Sequence, residues 1–130
     1  MSEQIHGIEA ARVEAADAIH SRIAAAAHHV ATMRRDAVRL TAAELTEAQP
    51  ILARADSAIS EAEAAVKGID SGALTMIEGI GIARAACRRV TRAACDLYDL
   101  PTFEAEAEAE DAEADEAYEA QHEAENPDFY

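Results

Sequence analysis

The chain has 130 residues, enough for one domain, and Ile, Leu, Val and Phe number only 23 of them. That is under the roughly 20% level below which a highly charged chain struggles to build a core. The net charge of −15 is split: residues 1–95 carry 12 acids and 11 bases, whereas residues 96–130 carry 14 acids and no Lys or Arg. This excludes a uniformly acid-coated protein and argues against direct nucleic-acid binding, which needs a net basic surface.

From Ser2 the larger residues recur as Ile5, Ile8, Ile19, Ile23, Val30, Met33 and Leu40, spaced for one helical face. The spacing predicts a long amphipathic helix reaching Leu40 or Gln49. Thr41-Ala42-Ala43-Glu44 has the form of a capping box, and Pro50 lacks the N–H of an interior helical residue. The chain is therefore expected to break or kink between Leu40 and Pro50. A second helix follows on the stripe Leu52, Ala55, Ile59, Ala62 and Val66, with Gly68 as its terminating glycine. Asp70-Ser71-Gly72 supplies an N-cap for a third helix. Its stripe is Met76, Ile80, Ala83, Cys87, Val90, Ala94 and Leu97, and Pro101 ends it. The predicted fold is all-α: a long antiparallel helical hairpin or a three-helix bundle or coiled coil over residues 1–100. Residues 101–130 form an acidic, flexible tail.

In that tail Ala and Glu favour helix, but Glu104/Glu108 and Glu106/Glu110 are like-charge pairs four residues apart that oppose it. Without an apolar stripe, residues 104–125 read as disordered or as a fraying helix. The chain ends in Asn126-Pro127-Asp128-Phe129-Tyr130, which contains an NPxF turn motif. An aromatic end on an acidic tail is similar in kind to the partner-docking tails of bacterial single-strand-binding proteins. Phe129 and Tyr130 are the candidate docking residues.

Signatures of chemistry are sparse. Asp17/His20 and Glu119/His122 are carboxylate–histidine pairs at i,i+3, as in di-iron bundles, but a full site needs carboxylates from two further helices. His28-His29 lacks a partner four residues on, and Gly79-Ile80-Gly81 lacks the strand and Lys-Ser/Thr of a phosphate loop. Cys87 and Cys95 lie about 12 Å apart along one helix, beyond the roughly 7 Å that a disulfide spans. No catalytic, metal or cofactor residue is predicted, and no enzymatic activity is expected. Arg84, Arg88, Arg89 and Arg92 cluster on the third helix as an anion site or contact for the acidic tail.

Thirty-four residues are Ala, which bury little area each, so the core is expected to be thin and relieved by a second copy or a partner. The face predicted to do this comprises Ile19, Ile23, Val30, Met33, Leu52, Ile59, Met76, Ile80, Val90 and Leu97. The expected function is a helical protein–protein interaction or assembly accessory of bacterial or phage style, with the acidic tail as electrostatic tether. Two alternatives stand beside it: a nucleic-acid mimic that blocks a basic groove in a defence or DNA-processing protein, and a metal- or ligand-binding bundle. No apolar run of about 18 residues and no leader pattern is present, so a cytoplasmic location (host cytoplasm or virion if phage-encoded) is expected, with no membrane partner.

Overall fold

In a computed structural model the chain is all-α, with α1 at Ser2–Ala37, α2 at Ala42–Ser71, α3 at Met76–Tyr98 and α4 at Pro101–Glu125. The structure describes residues 2–125, with side chains at residue 7 and residues 10–121, and no strand occurs among them. The chain divides after Leu97 into two compact units.

In the first unit the helix ends follow from local chemistry. α1 closes as the Leu40 N–H donates to the Ala37 carbonyl at 3.1 Å. Thr41 then caps α2: its hydroxyl accepts from the Glu44 N–H at 3.2 Å and donates to the Glu44 carboxylate at 2.9 Å. The bond from the Glu44 N–H is the N-cap half of the predicted capping box, while the Glu44 carboxylate meets the Thr41 hydroxyl and not its backbone N–H. The break falls before Thr41 and not at Pro50, which sits inside α2. Pro50 and Thr46 are both exposed, so the carbonyl that Pro50 cannot serve lies on the solvent side.

The next boundary corrects the sequence reading. α2 runs through Gly68 and stops at Gly72, whose φ of 80° is left-handed and whose N–H donates to the Ile69 carbonyl at 3.2 Å. Gly68 makes room instead of ending the helix, because a Cβ there would stand 2.7 Å from Leu74 Cδ1. α3 is capped by Thr75 and not by Asp70 or Ser71: the Thr75 hydroxyl accepts from the Glu78 N–H at 3.1 Å.

Cross-helix pairs give an up-down-up bundle. Arg34 on α1 meets Asp56 on α2, while Ile23 and Val66 line a groove nearer the other end. Arg54 on α2 pairs with Asp96 on α3 at 3.1 Å, Glu61 pairs with Arg89, and Ile69 packs against Gly79. The core is built largely from small residues. Among the described residues of this unit, 10 of the 18 buried apolar side chains are Ala. α2 turns Ala48, Ile51, Ala55, Ala58, Ala62 and Ala65 inward, and α3 turns Gly79, Ala83, Ala86, Val90, Ala93, Ala94 and Leu97 inward. α1 supplies the bulk: Ile19, Ile23, Val30, Met33 and Ala37 are buried, with Leu40 just beyond it. Small facing residues let the backbones approach. A Cβ at Gly79 would collide with the Ile69 side chain and lie 3.3 Å from the Ala65 carbonyl oxygen.

The inward faces therefore differ from the predicted stripes by part of a turn. Leu52, Ile59, Val66, Met76, Ile80 and Cys87 are half-buried flanks of a seam made by their smaller neighbours. Where Gly79 meets Ala65 and Ile69, the approach of α3 to α2 leaves no room even for a Cβ. The aliphatics cover the edges of the seam instead.

The second unit is dominated by α4. Pro101 opens it at a position where the absent N–H costs nothing, and the Leu100 carbonyl accepts from the N–H groups of Phe103 and Glu104 at 3.0 and 3.1 Å. Tyr98 and Phe103 meet edge to face with ring centroids 5.0 Å apart. Of the two states open to residues 104–125 in the sequence, the structure shows helix, continuous to Glu125. No helix among the described residues is long and apolar enough to cross a membrane.

Candidate interaction surfaces

Six residues of the predicted association face are core residues of the body: Ile19, Ile23, Val30, Met33, Val90 and Leu97 are all buried. Leu52, Ile59, Met76 and Ile80 are half-buried beside them. Six of the ten thus serve the body's own core, while Ile23, Val30 and Ile59 also border open grooves on its surface.

The predicted arginine cluster divides in two. Arg89 turns toward α2 and is held by Glu61, the contact that pushes the Glu61 carboxyl below, and the Arg89 guanidinium above, their ordinary values. It lines a cleft of about 290 Å³ with Arg54, Ser57, Arg92 and Ala93. Arg54 and Ser57 come from α2 and were not singled out in the sequence. Nothing in α2 marks them before the helices are laid side by side.

Arg84, Arg88 and Arg92 recur every four residues, all exposed, on the face of α3 away from its buried seam, with Arg92 at the edge it shares with the Arg89 cleft. None of the three makes an ion pair among the described residues. On the same face Ile77 is 85% exposed. Gly81, one turn along, would meet nothing within 4 Å if given a Cβ, so no packing inside the chain explains it. A sequence signal for this face existed: Ile77 adjoins Met76 on the inward stripe and must point away from it.

α4 carries 11 acids and no Lys or Arg. At about 1.5 Å of rise per residue it is about 37 Å long, so a carboxylate occurs about every 3.4 Å along its axis. Glu104, Glu108, Asp111, Asp115 and Glu119 share one face by three-four spacing, and all five are exposed. Phe129 and Tyr130 lie outside the described residues, as does the His122 side chain of the Glu119/His122 pair.

Among the described residues no three His, Cys, Asp or Glu side chains stand together to hold a metal. His20 borders an open groove with Ile23, Glu63, Val66, Lys67 and Asp70. His28 and His29 are exposed on α1, and Gly79-Ile80-Gly81 is interior helix. Cys87 and Cys95 are free thiols. Burial pushes the Cys87 thiol above its ordinary value, against the smaller downward pull of Arg22 on α1, which disfavours the reactive thiolate.

The chain matches no protein-family model, no curated protein sequence and no solved structure.

Proposed function

We propose that this chain is a non-enzymatic helical interaction protein, an assembly accessory whose acidic helix is an electrostatic tether for a basic partner. The observation that carries this reading is α4: a 25-residue helix with 11 acids and no base, attached to a body that holds every Lys and Arg of the chain. Like charges four residues apart weaken such a helix by a few tenths of a kcal/mol per pair. A cationic surface removes that repulsion, so α4 gains stability as it binds. The body supplies a folded base built on its own seam of small residues.

The second reading is a nucleic-acid mimic, and the one-signed charge of α4 favours it. The carboxylates of one face, Glu104, Glu108, Asp111, Asp115 and Glu119, recur about every 5–6 Å along the axis and form a row of negative charge, as a phosphate backbone does. A protein groove that follows such a backbone would meet a similar row of charge. The two readings differ in the partner's normal cargo and agree that α4 does the binding.

The test is affinity capture from the native source with the full chain, beside a full-length variant whose 11 acids in α4 are changed to Gln or Asn. The proposal expects a basic protein held by the first, absent from the second and released by about 1 M salt, where charges are screened within about 3 Å. Equal retention by both chains contradicts it. If the retained protein binds nucleic acid and the chain displaces that nucleic acid, the mimic is the correct form.

A further inference from the structure

We propose that the outer face of α3 is a docking site for α4 of a second copy of this chain. The inference rests on the reading of α4 as an electrostatic binding element and names one partner for it. Three features of α3 call for an occupant: the exposed Ile77, the glycine at position 81 with nothing inside the chain against it, and the row Arg84, Arg88 and Arg92 with no ion pair among the described residues. A glycine on a solvent-facing helix turn lets a neighbouring backbone come close. Guanidinium groups one turn apart, about 6 Å, suit carboxylates presented at the same pitch.

Charge complementarity selects the occupant. α4 presents Glu108, Asp111 and Asp115 on one face at three-four spacing. Laid antiparallel on α3, Asp115 falls opposite Arg84, Asp111 opposite Arg88 and Glu108 within one residue of Arg92. A second copy brings this row in equal number to the arginine rows. In a two-fold pair each copy gives one row and receives one, so the contact closes on itself without growing into a filament. The net charge of −15 on each chain opposes this at long range. The dimer is therefore best formed near 0.1 M salt, where distant repulsion is screened beyond about 10 Å while contact pairs survive.

The experiment is sedimentation equilibrium of full-length chains in about 0.1 M salt, with circular dichroism to confirm helicity. It compares the wild type, a triple variant with Arg84→Glu, Arg88→Glu and Arg92→Glu, a triple variant with Glu108→Lys, Asp111→Lys and Asp115→Lys, and an equimolar mixture of the two variants. The expected result is twice the 13.8 kDa chain mass for the wild type, single-chain mass for each variant, and double mass restored in the mixture. A wild type that stays monomeric, variants that stay dimeric, or a mixture that stays monomeric overturns the proposal. If charge reversal costs helicity, Gln at the same positions is read by the same masses: dimer lost supports the contact, dimer kept overturns it. A monomeric wild type whose α4 still holds a basic protein sinks this inference and leaves the function standing. A dimer through this face, with no basic protein retained, does the reverse.

Discussion

Two glycines two residues apart on α3, about half a turn, face opposite ways and have opposite consequences. Gly79 fills the seam with α2, so Gly79→Ala must displace Ile69 and crowd the Ala65 carbonyl, and it should destabilise the chain by about 1–3 kcal/mol. Gly81 faces open space, so Gly81→Ala should stabilise it by about 1 kcal/mol through helix propensity. Urea unfolding midpoints of the two variants, moving in opposite directions, check both. Burial separates Val30 from Ile80 in the same way. Val30 is 5% exposed, and Val30→Asp should abolish the cooperative transition, because an unpaired buried charge costs several kcal/mol. Ile80 is a half-buried flank, so Ile80→Asp should leave a folded, weakened chain by circular dichroism. The Glu61–Arg89 pair has a pH signature. Hydrogen bonding to Arg89 lowers the Glu61 carboxyl, so its stabilising effect is present above the ordinary value of 4.5 and is lost as pH falls through the depressed one. The melting temperature of wild type over Glu61→Gln should thus show a small excess above pH 4.5 that disappears on acidification. Both groups are solvent-exposed, which keeps the effect small.

At the scale of the element, helices were the most legible part of the sequence and their inward faces the least. Thr41 and Glu44 are local in the chain, so their cap could be read from spacing alone. Which glycine ends α2 depends on Leu74 folding back onto Gly68, a contact that spacing does not reveal. The stripes missed for a related reason. Periodicity weights large residues, yet Ala55, Ala62, Ala83 and Ala86 are among the fully buried ones. The second observation of consequence is α4 itself, where propensity and repulsion compete. Salt settles that contest in a predictable direction. Screening shrinks from about 30 Å at 0.01 M to about 3 Å at 1 M, so helicity assigned to α4 should rise with salt. A Gln-substituted α4 should be indifferent. Site-resolved NMR shifts at Ala109, Ala112 and Ala117 would read this, and helicity that falls with salt would contradict it.

At the scale of the whole molecule, the charge division first visible in the sequence becomes a division of labour between elements. The body carries all 11 Lys and Arg and a net charge near zero, and α4 carries 11 acids. The thin core expected from 23 large apolar residues is met inside the body by close helix approach, with Met33, Leu97 and Val90 as its largest fully buried side chains. Six of the ten residues of the predicted association face are part of that core. The arginine cluster was legible as a group, but that Arg89 alone of the four is ion-paired among the described residues, with Glu61 of α2, required the position of α2. If α4 binds by charge, affinity for the basic protein that the chain captures depends on salt, which fluorescence anisotropy between about 0.05 and 1 M salt measures. Affinity should fall steeply with salt for the wild type, and the α4 variant with neutral amides should bind weakly with a nearly flat dependence. An affinity that is equal in the two chains and unmoved by salt would contradict binding by charge.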